Sequence, residues 1–127
     1  MMAVDTSALM AILLGEPEAD RCIVALERDG DLLLSAGTMA EALIVAARRN
    51  VGQEMVRLID GLGFEIVPLT AAAAHRVALA YAMWGKGQHS AALNFGDCFA
   101  YDVAKANRCP LLFVGQDFAQ TDIEGVV

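Results

Sequence analysis

Positive charge is scarce in this chain. Nine Lys and Arg face sixteen Asp and Glu, for a net charge of −7 at pH 7. That balance excludes a domain that holds nucleic acid by general electrostatics, because such affinity comes from Lys and Arg neutralising phosphates. If the chain acts on nucleic acid, something must offset its own carboxylates, and a divalent cation would do so. Cysteine is sparse too. Cys22, Cys98 and Cys109 are odd in number and widely spaced, with no Cys-x-x-Cys pair and no Cys/His cluster. A disulfide scaffold and a structural zinc site are therefore excluded, and buried, reduced thiols are expected. No apolar run approaches the roughly eighteen residues that a membrane span needs. No basic segment followed by an apolar stretch marks the N-terminus as a signal peptide. The chain is therefore expected to be cytoplasmic, with no membrane partner. Repeats, linkers and low-complexity segments are also lacking, so residues 1–127 are expected to form one domain.

What is present is an apolar, alanine-rich globular sequence. Hydrophobic residues make up 57% and charged residues 20%, which excludes intrinsic disorder. A chain of 127 residues is long enough for one real core. Short apolar runs alternate with segments of helical periodicity. Met2-Ala3-Val4, Leu32-Leu33-Leu34, Phe64-Glu65-Ile66-Val67 and Leu111-Leu112-Phe113-Val114 read as strands. Thr121-Asp122-Ile123 reads as a short last strand. Between them the spacing predicts helices from Ala8 to Leu14 (Ser7 as cap), around Ala19 to Leu26, from Thr38 to Arg49, from Gly52 to Leu62, from Ala71 to Trp84 (Thr70 as cap), and from near Asp97 to Asn107. This alternation indicates a parallel sheet covered on both faces. In such folds the functional crevice lies at the carboxyl ends of the strands.

Acids fall on that rim. Asp5 and Asp117 follow the first and fourth strands. Asp97 stands at a helix start, after the poor helix formers Asn94 and Gly96. Glu41 sits three residues after Thr38, a spacing that also fits a purely local capping box. Alone, Asp97 would read as an N-cap. Four carboxylates in one crevice need another explanation, since two at about 4 Å repel by on the order of 4 kcal/mol at an effective dielectric near 20. Oxygen-only donors suit Mg²⁺ or Mn²⁺. Such an ion can lower the pKa of a bound water and stabilise charge on a phosphodiester, which is nuclease chemistry.

Val4-Asp5-Thr6-Ser7-Ala8-Leu9, Glu41, Asn94-Phe95-Gly96-Asp97-Cys98-Phe99-Ala100-Tyr101 and Phe118-Ala119-Gln120-Thr121-Asp122-Ile123 together resemble a PIN-domain ribonuclease, in particular the VapC toxins of toxin–antitoxin pairs. The resemblance covers nearly the whole chain. It implies a three-layer α/β/α sandwich with a mainly parallel four- to five-stranded sheet. It also implies Mg²⁺- or Mn²⁺-dependent endoribonuclease activity on an RNA substrate, a homodimer, and inhibition by a VapB-type antitoxin. Asp5, Asp97 and Glu41 match the family's metal-binding acids. The fourth acid falls on Asp117 or on Asp122. Thr6, Ser7 and Asn94 could orient the ligands. Arg48, Arg49, Arg76, Lys86 and His89 are the cations available to the RNA backbone.

Other readings are open to test. A non-catalytic PIN-like or receiver-like module would use similar acids, but a receiver needs a lysine at a later strand end. Here Lys86 lies in a loop and Lys105 within a helix. A phosphatase with an aspartyl nucleophile would want a second Asp where Ser7 stands. A dinucleotide site would want Gly-x-Gly-x-x-Gly after the first strand. Cys98 with His89 could form a nucleophile and base.

Overall fold

The structure is a computed structural model that describes residues 1–126. In chain order its elements are β1 (Met2–Val4), α1 (Thr6–Leu14), α2 (Ala19–Arg28), β2 (Leu32–Ser35), α3 (Ala36–Arg48), α4 (Gly52–Leu62), β3 (Glu65–Val67), α5 (Ala71–Trp84), α6 (Phe95–Ala106) and β4 (Leu111–Leu112). A 3₁₀ turn at Phe118–Gln120 follows. The sheet is wholly parallel, in the order β3-β2-β1-β4. No helix among the described residues is long and apolar enough to cross a membrane.

Apolar residues run continuously through the central strands because both faces of the sheet are covered. Successive side chains point to opposite faces. Met2, Val4, Leu32, Leu34 and Leu112 join a core with Leu9, Cys22, Ala42, Met55 and Ile59 of α1–α4. Ala3, Leu33 and Leu111 join a second core with Val77 and Ala80 of α5, with much of α6, and with Phe118. The result is the three-layer α/β/α sandwich. All three cysteines are buried free thiols.

Strand order reverses at β1: the chain places β2 and β3 on one side of it and β4 on the other. A crevice therefore opens between the carboxyl ends of β1 and β4, where parallel sheets bind ligands. Asp5 leaves β1 at that point, and its backbone N–H donates to the Leu112 carbonyl at 3.0 Å.

Several element ends differ from the sequence reading. The third and fourth strands are shorter than expected and stop at Glu65–Val67 and Leu111–Leu112. Thr121-Asp122-Ile123 forms no strand. The tail instead touches the sheet through a single parallel bridge between Leu111 and Gly125. Helix α1 begins two residues early, at Thr6, and is capped by Asp5, not Ser7. Helix α3 is capped by Ser35, so Thr38 lies inside it, fully buried, and the Thr38/Glu41 capping box does not form. The turn after α5 is pinned at its base, where Lys86 N–H donates to the Leu93 carbonyl and Leu93 N–H to the Trp84 carbonyl.

Helices α3 and α6 meet through Gly37. A Cβ there would lie 2.5–2.8 Å from the Phe99 ring. The close approach of the two helices brings Glu41 to the start of α6.

Candidate active site

Asp5 is 3% exposed. Its Oδ2 accepts from the Ser7 backbone N–H at 3.0 Å and from the Ser7 hydroxyl at 2.6 Å. The same hydroxyl oxygen accepts from Val114 N–H at 3.0 Å. Ser7 thus ties the acid at the end of β1 to the segment that leaves β4. Asp5 Oδ1 is buried and has no hydrogen-bond partner. A bare carboxylate oxygen in that position is costly unless something pairs with it.

Asp97 sits in the first turn of α6. Asn94 is the N-cap, and the two residues form a reciprocal capping box. Asn94 Oδ1 accepts from Asp97 N–H at 2.8 Å, and Asp97 Oδ2 accepts from Asn94 N–H at 3.0 Å. The helix therefore starts at Phe95, two residues before the expected point. The negative charge still faces the positive end of the helix dipole. Asn94 holds Asp97 through both hydrogen bonds.

Glu41 projects from α3. Its Oε1 accepts the Thr6 hydroxyl at 2.6 Å. Thr6 Oγ1 also lies 3.5 Å from the Thr38 carbonyl. Released from any capping duty, Glu41 is available to the crevice.

Burial pushes the Asp5 carboxyl up to about 7; the Ser7 bonds oppose the shift, while the charges of Asp97 and Glu41 add to it. Burial likewise pushes Asp97 up to about 6, against the bond from Asn94 N–H, with Glu41 and Asp117 adding to the rise. Asp97 and Glu41 thus act on Asp5, and Glu41 and Asp117 act on Asp97. Asp117 is exposed, at the start of the 3₁₀ turn that buried Phe118 anchors.

Asp122 is engaged elsewhere. Its carboxylate accepts the Tyr101 hydroxyl at 2.6 Å and pairs with Lys105 Nζ at 3.1 Å. Tyr101 and Lys105 lie one and two turns beyond Asp97 on α6, so Asp122 clamps the tail to that helix about 6–12 Å along its axis. Arg76 is also committed, with Nε 2.7 Å from Oδ1 of buried Asp102. Among the candidate cations, Arg48 shares a groove with one of the acids. With Glu41 it lines an apolar groove of about 610 Å³ that includes Ile44, Leu69, Phe95 and Phe99.

The Cys98 thiol is buried and pushed up to about 11 by that burial. His89 Nδ1 accepts from Ala91 N–H at 2.9 Å, and its ring packs edge-on against Trp84. A thiol in that state is a core residue, not a nucleophile. Lys105, paired with Asp122 within α6, does not supply the strand-end lysine that a receiver needs.

The donors fit a hard divalent cation in kind: all are carboxylate oxygens, and one, Asp5 Oδ1, is buried and unpaired. Among the described residues no three Asp, Glu, His or Cys side chains form a ready-made ligand group. Mg²⁺ does not require one, since it keeps several waters and binds through one or two carboxylates plus substrate phosphate. The sequence reading missed Gly96. A Cβ on that residue would fall on Glu41 Oε2, a contact between two helices that no local pattern announces.

Comparison with known proteins gives a consistent result. The family model described as PIN domain matches residues 2–124. Ribonuclease VapC30 of Mycobacterium tuberculosis is 42% identical over 128 residues, covering 98% of each chain. The crystal structure of VapC20 from the same organism, described as a sarcin–ricin loop cleaving toxin, superposes with a TM-score of 0.81 at 13% identity, covering 99% of this chain and 98% of that one. A toxin–antitoxin complex from Klebsiella pneumoniae gives a TM-score of 0.71 at 22% identity, covering 96% and 93%.

The raised carboxyls predict a pH dependence. Asp5 and Asp97 hold protons more tightly in the folded chain than an unperturbed Asp, which titrates at about 3.9, would. Between about pH 4 and 7 the folded state therefore binds more protons than the unfolded state, and stability falls as pH rises. Denaturant melts in EDTA should show greater stability at pH 5 than at pH 8, by on the order of a few kcal/mol. Asp5→Asn should flatten the difference. A parent equally stable at both pH values would contradict the shared electrostatics of the crevice.

Proposed function

This chain belongs to the PIN domain family, and on that premise we propose that it is a metal-dependent endoribonuclease acting as the toxin of a toxin–antitoxin pair. One observation carries the reading. Asp5, Glu41 and Asp97 act on one another near the switch point of a parallel sheet, Asp117 acts on Asp97, and the most buried of them, Asp5, keeps one oxygen unpaired. An RNA substrate and a VapB-type antitoxin come from likeness to the VapC ribonucleases and to toxin–antitoxin structures.

Asp5, Glu41, Asp97 and Asp117 would hold Mg²⁺ or Mn²⁺. The ion, when bound, supplies a water of lowered pKa and stabilises charge on the phosphodiester. The chain's own residues set the geometry for this. Ser7 fixes one oxygen of Asp5 and leaves the other without a hydrogen-bond partner, so that it would be free to bind the ion. Thr6 holds Glu41 by its hydroxyl. Asn94 keeps Asp97 at the helix start, and Phe118 anchors the turn that carries Asp117. Cleavage by attack of water on phosphorus would leave a 5′-phosphate. Arg48, Arg49 and Lys86 are exposed and would be the cations offered to the RNA backbone, while Arg76 is a structural partner of Asp102.

A second copy is the proposed cover for exposed apolar surface. Within the Thr38–Leu62 stretch, Ile44 and Val56 are exposed. Beyond that stretch, Leu69 and Phe95 line one groove with Ile44, and Leu79 and Met83 of α5 are exposed as well. Light scattering at micromolar concentration should return a dimer mass, and a monomer would remove this part of the proposal. The antitoxin would offer a cationic segment to the acids, most simply an arginine on the carboxylates. Its binding should weaken when Asp97 or Asp117 is neutralised.

Purified protein freed of antitoxin should cut RNA with Mn²⁺ and not with EDTA. An uncut transcript pool in Mn²⁺ would favour the non-catalytic module instead. Asp97→Asn should abolish cleavage. In EDTA it should melt at or above the parent, because Asn can keep the capping box while one repelling charge is removed. Metal should stabilise the parent by about 2.7 kcal/mol at a hundred times the dissociation constant, and the variant much less. If Asp97 were only a cap, the variant would keep its metal response and its activity.

A further inference from the structure

Helices α3 and α6 touch through two glycines, one on each helix. Gly37 of α3 receives the ring of Phe99 from α6, and Gly96 of α6 receives the carboxylate of Glu41 from α3. Gly37 and Glu41 stand four residues apart on one helix face, and Gly96 and Phe99 three apart on the other. The first contact is packing inside the core. The second joins a bare backbone to an acid of the crevice. A Cβ at residue 96 would fall on Glu41 Oε2 and would lie 2.5 Å from Cδ and 2.9 Å from Oε1.

We infer that Gly96 is a positioning residue, whose missing side chain is the space in which the Glu41 carboxylate sits. Two facts separate this from a role in backbone conformation. Gly96 does not have the left-handed φ that Gly15, Gly63, Gly87 and Gly115 adopt, so alanine is compatible with its backbone. Nothing else lies among the three nearest atoms to the missing Cβ: all three belong to Glu41. The obstacle is the end of a flexible side chain, not the protein frame. A methyl group at residue 96 would turn Glu41 aside and strain or break its 2.6 Å bond from the Thr6 hydroxyl, while α6 stays folded. The step from Glu41's place to metal affinity rests on the function proposed above. The steric step does not.

The test is a double-mutant cycle of Gly96→Ala and Glu41→Ala, which isolates the coupling of residues in contact. In EDTA, thermal melts should show Gly96→Ala lowering the midpoint, or raising it less, in the parent than in the Glu41→Ala background. In that background the methyl group has room, and alanine is the better helix former. Mn²⁺ titration should show Gly96→Ala weakening affinity 10- to 100-fold in the parent, the range seen when support of a metal ligand is lost. It should cause no further loss once Glu41 is gone. Equal midpoint shifts in both backgrounds would overturn the inference. So would a further loss of Mn²⁺ affinity in the Glu41→Ala background. Coupling in the melts with no Mn²⁺ binding by the parent would sustain Gly96's steric role and count against the metal-dependent enzyme.

Discussion

Repulsion among carboxylates at one edge of the sheet is the constraint on which the rest of the site depends. Like charges a few ångström apart cost kilocalories in a partly desolvated crevice. The chain answers with a separate device for each acid. Ser7 gives Asp5 two hydrogen bonds to one oxygen. The first turn of α6 gives Asp97 a helix dipole and a capping box. Thr6 gives Glu41 a hydroxyl. These devices fix the acids in place without neutralising them, and Asp5 Oδ1 remains unanswered. On the proposed reading a cation would complete the arrangement; no protein group among the described residues pairs with that oxygen.

The frame can hold this strained edge because the strands are buried on both sides. They are short, two to four residues each, yet their alternating side chains feed two separate cores. Asp5 lies at the end of β1, Asp97 on the first turn of α6 and Glu41 on the second turn of α3, where the backbone is set by the cores. The scarce cations are allotted in the same spirit. Arg76 and Lys105 answer Asp102 and Asp122 on the α5–α6 side of the molecule and leave the crevice uncompensated.

The architecture was legible because its signals are periodic and local: apolar triplets for strands, three- and four-residue steps for helices, and acids just after strand ends. Helix α5, from Ala71 to Trp84 with Thr70 as cap, was read from such signals. Capping was harder, since a pattern of polar residue and acid three apart occurs at both Thr38/Glu41 and Asn94/Asp97. Only the second is a capping box. At the first, β2 hands over to α3 at Ser35, which carries Thr38 into the core and frees Glu41 for Thr6. The pattern could not reveal this, because the helix start is set by sheet register. Asp117 and Asp122 could not be told apart by spacing either. The hydroxyl of Tyr101 and the ammonium of Lys105 draw Asp122 away, and both contacts span more than fifteen residues of sequence. Gly96 was invisible as a partner of Glu41 for the same reason.

The central claim is that raised, mutually repelling carboxyls in the crevice are completed by a divalent cation. Calorimetric titration of Mn²⁺ into the chelator-stripped protein, in buffers of different ionisation enthalpy, tests it most directly. Binding to carboxyls that are partly protonated must release protons. The account predicts proton release at pH 6 that shrinks at pH 8, where Asp5 and Asp97 are already ionised. Absence of Mn²⁺ binding, or binding whose heat is the same in every buffer at pH 6, would contradict it.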